Sequence, residues 1–173
     1  MLQSESADVA FLTEVDNASI RGTFNVHDFT THYTLDDGND MIRLICLTSL
    51  KSALTFTLRP DLMSTMTPTI WIEARANSSN EKFLICGFYR EWTHDEDTSI
   101  QGQVDRAEIL SAQIRRACTE CKRVIIVGDA NLCSESWNDD GYRYKRIASV
   151  LKTALDENGL DNHLLGITYE SDH

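Results

Sequence analysis

The spacing of hydrophobic positions changes about halfway along the chain. Before residue 90 they form short runs, some strictly alternating with polar residues as in Leu54-Thr55-Phe56-Thr57-Leu58. Period-2 alternation and short apolar runs predict β-strands. The predicted strands lie at residues 8–15, 32–35, 41–47, 54–58, 69–74 and 82–89. The turn-forming sequence Asp36-Asp37-Gly38-Asn39-Asp40 predicts a hairpin with a longer loop between the second and third of these strands.

After residue 100 the apolar positions recur every three or four residues, which predicts helices. The first predicted helix carries its stripe at Val104, Ala107, Leu110, Ile114, Ala117 and Cys121. The second carries its stripe at Tyr144, Ile147, Leu151, Ala154 and Leu155, and Gly159 follows its end. Between the helices, Val124-Ile125-Ile126-Val127 predicts a strand buried on both faces. Gly166-Ile167-Thr168-Tyr169 predicts the start of one more strand.

Strands followed by helices that flank a buried strand predict an α/β fold in which two sheets pack together with helices outside. Nothing in the sequence has the composition of a linker, and no internal repeat is present. Residues 1–173 are therefore predicted to form one domain.

Polar side chains with catalytic potential lie where three of the predicted strands end. They are Glu14, Tyr89 with Arg90, and Asp129 with Asn131, where Gly128 is predicted to turn the backbone sharply. If the strands share one sheet edge, these groups converge. Glu14 would then bind Mg²⁺. Asp129 would take a proton from water, and Asn131 would orient that water or a phosphate oxygen. Tyr89 and Arg90 would donate to phosphoryl oxygens, and the set predicts metal-assisted hydrolysis of a phosphate ester.

Each of these residues also has a simpler interpretation. Glu14 would be a solvated charge at a strand end, and Tyr89 a core residue. Asp129 and Asn131 would form an ordinary turn that hydrogen-bonds its own backbone. Arg90 would pair with an acidic neighbour.

Composition narrows the functional classes. The net charge is −11 and the pI is about 4.8, which disfavours nucleic-acid binding through a broadly basic surface. A bound Mg²⁺ reverses the local electric field, so the negative charge does not exclude an enzyme that acts on phosphate esters.

No apolar run is long enough to cross a membrane, and the first residues lack the pattern of a signal peptide, so we expect an intracellular protein, nuclear or cytoplasmic. Cys118-Thr119-Glu120-Cys121 has the spacing of half a zinc site, but a helix end with two thiols explains it more simply.

Three motifs together resemble a known family. Leu12-Thr13-Glu14-Val15, Gly87-Phe88-Tyr89-Arg90-Glu91-Trp92 and Gly128-Asp129-Ala130-Asn131-Leu132 are similar to successive motifs of the endonuclease/exonuclease/phosphatase superfamily, and most similar to the endonuclease domain of non-LTR retrotransposons. The resemblance implies a four-layered α/β/β/α sandwich and cleavage of DNA with Mg²⁺ or Mn²⁺. It also implies that Glu14 binds the metal, that Tyr89 lies near the scissile phosphate, and that Asp129 and Asn131 activate water and hold phosphate.

The chain departs from the family pattern at both ends. The family has an early strand that ends in an active-site Asn, and two late strands that carry an Asp and then Ser-Asp-His. Ser171-Asp172-His173 has the right letters but follows Tyr169 almost at once, so it is either the catalytic pair or a loop. We therefore expect a fold that is incomplete at both ends, with an unpaired strand edge and poor solubility. The alternatives are an inactive remnant or binding module of the same fold, and a phosphatase acting on phosphoinositides or phospholipids.

Overall fold

The computed structural model describes residues 7–15, 24–35, 42–79, 81–90, 100–132 and 140–161. It contains these strands and helices: β1 Val9–Thr13, β2 Phe29–Tyr33, β3 Leu44–Ser49, β4 Leu54–Leu58, β5 Thr69–Ala76, β6 Lys82–Tyr89, α1 Ile100–Glu120, β7 Val124–Asp129 and α2 Lys145–Glu157. A short 3₁₀ turn at Pro60–Leu62 follows β4. The order confirms the α/β class predicted from the spacing of hydrophobic positions.

The strands form two sheets. Sheet A is antiparallel and has the order β1-β3-β2, so the predicted hairpin partners β2 and β3 do pair, with Tyr33 opposite Ile45. Sheet B has the order β4-β5-β6-β7. Its first three strands are antiparallel, and β6 and β7 are parallel because α1 carries the chain back across the sheet between them.

Three apolar layers hold the described elements together. One lies between sheet B and the two helices and includes Trp71, Leu84, Leu110, Ile114 and Ile147. A second lies between the two sheets, and a third covers the other face of sheet A. The central strand β3 is buried along almost its whole length because it has an apolar layer on each side. Among the described residues, both helices pack on sheet B.

The two sheets approach each other closely at Gly87 of β6. A Cβ atom at Gly87 would lie 2.0 Å from the Phe11 ring of β1. The ring therefore occupies the space that a side chain on β6 would need. Because β1 sits directly against the backbone of β6, the ends of these two strands come together at the same edge of the sandwich.

Two predictions about the strand before Asp129 are wrong. First, β7 is not buried on both faces, because Ile125 is 48% exposed and Val127 is 46% exposed. Only the face with Val124 and Ile126 packs on the layer beneath the helices. The other face points toward sheet A, as its register with Ile85 and Gly87 shows, and sheet A covers it incompletely.

Second, Gly128 does not form the turn. It lies within β7 without a positive φ, whereas Asn131 adopts the left-handed conformation with φ 47°. Gly128 is needed for a different reason. A Cβ atom there would lie 2.2 Å from the Phe88 carbonyl oxygen and 2.5 Å from the Phe88 ring.

Several sequence predictions lie outside the described residues. These are the turn predicted at residues 36–40, the strand predicted from Gly166, and the Ser171-Asp172-His173 motif. Within the described part of the chain, no helix combines the length and the apolar character that a bilayer span requires.

Candidate active site

The ends of β1, β6 and β7 meet at one edge of the sandwich. Tyr89, the last residue of β6, lies opposite Asp129, the last residue of β7, in the parallel register. Parallel strands end at the same sheet edge, so the residues that follow them are neighbours. The Phe11–Gly87 contact adds the end of β1 to this pair. The structure thus brings together the strand-end residues that the sequence singled out.

Glu14 follows β1 in an unusual backbone conformation. Its φ is 58°, in the left-handed region that non-glycine residues seldom occupy. Its backbone N–H still donates to the Arg43 carbonyl at 3.0 Å, which keeps the residue attached to sheet A. Its side chain leaves the sheet and accepts a hydrogen bond from the Tyr89 hydroxyl at 3.1 Å. The carboxylate of Glu14 is therefore held at the sheet edge while the residue stays exposed.

Tyr89 is a buried hydrogen-bond donor. It is 6% exposed and its ring belongs to the layer between the sheets. Burial raises the pKa of the phenol, and the hydrogen bond to the Glu14 carboxylate raises it further, while a hydrogen bond with the Asn131 side chain acts in the opposite direction. A phenol with a raised pKa stays protonated at neutral pH. Tyr89 is therefore suited to donate a hydrogen bond and unsuited to act as a base.

Asp129, Ala130 and Asn131 form a tight loop after β7. The Asn131 backbone N–H donates to Asp129 Oδ1 at 2.8 Å, which is the self-capping bond of an ordinary turn. The Asn131 side-chain Nδ2 donates to the Arg90 carbonyl at 2.6 Å, so its amide is oriented by the end of β6. Within the described part of the chain, the other carboxylate oxygen of Asp129 accepts no hydrogen bond. The turn interpretation and a role in catalysis are thus compatible.

Arg90 holds this loop by hydrogen bonds to its backbone carbonyls. Its backbone N–H donates to the Asp129 carbonyl at 2.9 Å. Its guanidinium donates to the carbonyls of Ala130 and Asn131. Arginine is suited to this role because its planar fork presents several N–H groups in fixed directions. The predicted contact of Arg90 with substrate phosphate stays a prediction, since in this structure these N–H groups point at backbone carbonyls.

Two residues that the sequence pattern did not mark as site residues contact Arg90. Gln103 of α1 accepts a hydrogen bond from the guanidinium through Oε1, and the Tyr144 ring lies 5.1 Å from the guanidinium carbon. Gln103 is 7% exposed. It lies four residues before Ala107 on the apolar stripe of α1, and a polar residue at such a position is the signal that marks it. No comparable signal marked Tyr144, which looked like a helix core residue.

The donor set fits a hard divalent cation. Mg²⁺ is commonly bound through one or two carboxylates, with water and substrate phosphate completing the shell. Glu14 supplies one exposed carboxylate, which the Tyr89 hydroxyl holds by a hydrogen bond. Asp129, the last residue of β7, supplies a second exposed carboxylate. The described residues contain no group of three or more metal-binding side chains. Glu14, whose carboxylate is held by the Tyr89 hydroxyl, would therefore hold the ion together with water and substrate phosphate.

Among the described residues, the carboxylates of the candidate site lie at the protein surface. The small cavity next to the site, with a volume of about 30 Å³, is lined by Tyr89 and Arg90 but not by Glu14, Asp129 or Asn131. The polar groups of the candidate site therefore face outward rather than into an enclosed pocket, as far as the described residues extend.

Comparisons with solved structures identify the fold. No protein-family model and no curated protein sequence matches the chain. The endonuclease domain of TRAS1, a telomere-specific non-LTR retrotransposon, matches 91% of this chain and 61% of its own length at 18% identity, with a TM-score of 0.60. A humanized D. rerio TDP2 with 14 mutations matches 81% of this chain and 59% of its own at 16% identity, with a TM-score of 0.55. The human Nocturnin catalytic domain, solved with a sulfate anion, matches 80% and 58% at 13% identity, with a TM-score of 0.52.

These structures share one architecture, and the chain spans about three fifths of the length of each. Identities below 20% carry the fold and not the activity. The element order, the two packed sheets and these matches agree with the resemblance found in the sequence. The chain has the fold of the endonuclease/exonuclease/phosphatase proteins.

Proposed function

We propose that the protein is a metal-dependent phosphodiesterase that cleaves DNA, as the endonuclease part of a retrotransposon-like element. One observation carries the proposal. Glu14, Tyr89 and the Asp129–Asn131 loop come from three separate strand ends and share one hydrogen-bonded cluster. A carboxylate, a neutral phenol and an Asp–Asn pair supply the groups that hydrolysis of a phosphodiester requires.

Each residue has a distinct task in this proposal. Asp129 takes a proton from a water molecule. The oxygen of that water bonds to phosphorus, and the bond between phosphorus and the leaving oxygen breaks. Asn131 positions that water or a phosphoryl oxygen with its amide. The single hydroxyl proton of Tyr89 points to Glu14 in this structure. In the reaction the hydroxyl would turn to donate its hydrogen bond to a phosphoryl oxygen, where negative charge develops. A Mg²⁺ or Mn²⁺ ion held by Glu14 would supply Lewis-acid stabilisation of the same charge.

The shape of the site favours a polymer over a small phosphate ester. Glu14 and Asp129 are exposed, and among the described residues neither lines the cavity beside Tyr89. An open site suits a substrate whose contacts extend well beyond the scissile bond. TRAS1, named as a retrotransposon endonuclease, is among the structures that share the fold, which supports DNA as the substrate class.

A plasmid-nicking assay tests the proposal. We expect the full chain to nick supercoiled DNA with Mg²⁺ and to lose this activity in EDTA. Asp129→Asn should lower the rate by about 10²–10⁴-fold, because it removes the group that accepts the proton. Asp156→Asn, which removes an exposed carboxylate on α2, is the matched control and should nick at the wild-type rate.

Other outcomes of this assay contradict the proposal. No nicking by the wild-type chain at high concentration would indicate an inactive remnant of the fold. Metal-dependent release of phosphate from an inositol phosphate without nicking would indicate a phosphatase. Equal losses in Asp129→Asn and Asp156→Asn would place the base elsewhere.

A further inference from the structure

We infer that residues 142–146 form a contact surface for the phosphate backbone of duplex DNA next to the candidate active site. This inference rests on the proposed function for the substrate class. The segment includes the start of α2, which the sequence pattern predicted without any binding role.

The segment before and at the start of α2 is locally cationic. The chain as a whole has a net charge of −11, so most of its surface repels a polyanion. Residues 140–146 reverse this balance, with Arg143, Lys145 and Arg146 against the single carboxylate of Asp140. Protein–DNA affinity depends on cationic side chains that replace the counterions of phosphates. In an acidic protein, such a local cluster is where duplex DNA would bind.

The cationic side chains differ in what they already contact. Lys145 forms an ion pair with Asp140, and Arg146 donates to the Gln101 side chain of α1 at 3.2 Å. Arg143 is exposed, and its guanidinium carbon lies 5.5 Å from the centre of the Tyr144 ring. Arg143 is therefore the side chain best placed to reach a phosphate, with Arg146 beside it.

Two tyrosines flank Arg143 in the sequence. The rings of Tyr142 and Tyr144 meet edge to face, with centres 5.8 Å apart and planes at 81°. Both residues are partly exposed. Tyrosine hydroxyls and arginine side chains are common donors to DNA phosphates. An edge-to-face pair also keeps the rings in fixed positions, which lowers the cost of ordering them when DNA binds.

Arg90 connects this segment to the catalytic loop. Its guanidinium lies over the Tyr144 ring at 5.1 Å and donates to the carbonyls of Ala130 and Asn131. One side chain thus separates the 142–146 segment from the Asp129–Asn131 loop. Successive phosphates of one DNA strand are about 3.4 Å apart along the helix axis. A strand whose phosphodiester lies at Asp129 would therefore pass the 142–146 segment within a few nucleotides.

Binding measured without cleavage tests the inference. We expect the full chain in EDTA to bind a fluorescent 20-base-pair duplex, with an affinity that falls as salt rises. Arg143→Gln should weaken binding several-fold and reduce the slope of log K against log salt by about 1, as the loss of one phosphate contact predicts. Adding Arg146→Gln should reduce both further.

Arg123→Gln is the matched control. Arg123 precedes β7 and so lies at the opposite end of the strand from Asp129, with a similarly exposed side chain paired to Glu81. It should keep the wild-type affinity and salt slope. An equal loss in Arg123→Gln, an unchanged slope in Arg143→Gln, tighter binding of duplex RNA, or no salt-dependent binding by the wild type would each overturn the inference.

The same experiment separates this inference from the proposed function. Binding that depends on Arg143 in a chain that never nicks DNA would support the surface and refute the activity. If the chain nicks DNA but its affinity is unchanged by Arg143→Gln and Arg146→Gln, the proposed activity is supported and the proposed contact surface is refuted. Thermal melting of each variant shows whether a loss comes from unfolding, and Arg143→Gln is the decisive variant because it lies outside α2.

Discussion

Gly87 shows how a single missing side chain positions a functional group. The Phe11 ring lies where a Cβ atom of Gly87 would be, at 2.0 Å. Two residues later on β6, Tyr89 donates to Glu14, which is three residues after Phe11 on β1. The distance between the sheets at this point therefore decides whether the Tyr89–Glu14 hydrogen bond can form.

We expect Gly87→Ala to destabilise the protein and loosen the site. The added methyl group collides with the Phe11 ring, and such overpacking costs about 1–3 kcal/mol. Chemical denaturation followed by tryptophan fluorescence measures the loss. Combining Gly87→Ala with Phe11→Leu, which removes the ring, should restore part of the free energy of unfolding. An unchanged midpoint in Gly87→Ala, or no recovery in the double variant, would falsify this account of the glycine.

The glycine at position 128 shows what the sequence alone could not decide. A glycine has two separate properties, access to positive φ and the absence of a Cβ atom. The position before Asp129 suggested the first property, but the structure uses the second, since Phe88 fills the space. The left-handed residue is Asn131, a type that tolerates this conformation better than most. Contacts between neighbouring strands decide such cases, and one sequence does not reveal them.

At the scale of elements, periodicity predicted the strands and helices well. The alternation in β4 and the stripe of α1 each follow from one apolar face, which is a local property. The burial of β7 is different, because it depends on which elements cover each face. Four β-branched residues suit a strand, but the exposure of Ile125 and Val127 shows that sheet A covers that face only in part. The hydrophobic pattern of a strand does not reveal which elements pack on each of its faces.

The candidate site joins four elements through Arg90. Its contacts reach the loop after β7, Gln103 of α1 and Tyr144 at the start of α2, while its backbone continues β6. The sequence placed Arg90 at the site because it follows Tyr89. It did not reveal the direction of the guanidinium, because that direction depends on three elements far away along the chain.

We expect Arg90→Lys to keep the charge but lose the hold on the loop. A lysine ammonium cannot reproduce the guanidinium's several directed bonds, so the free energy of unfolding should fall by about 1–3 kcal/mol. Hydrogen exchange at the Asn131 amide, which donates to Asp129, should become faster. Arg75→Lys on β5 is the control, with an expected change within about 0.5 kcal/mol. Wild-type exchange and stability in Arg90→Lys would show that the loop holds its shape without the guanidinium.

At the scale of the whole molecule, two opposing forces act on association. The half-exposed side chains of Ile125 and Val127 lie on β7, which pairs on one side only among the described residues. An apolar surface beside an open strand edge favours pairing with another chain. The net charge of −11 opposes this by repulsion. Salt screens that repulsion over about 8 Å at physiological ionic strength, whereas the apolar contact is insensitive to such screening.

We therefore expect the protein to associate more strongly as salt rises and as pH falls toward the pI near 4.8. Sedimentation velocity over a range of concentrations should show larger species in 0.5 M NaCl, and Ile125→Lys should shift them to the monomer. Thr57→Lys adds the same charge on β4, at the opposite edge of sheet B, and should not. Both substitutions lower the net negative charge and so weaken the repulsion, which means that only loss of the apolar contact explains a monomer in Ile125→Lys. A monomeric wild type at every concentration and salt would show that the exposed face of β7 does not drive association.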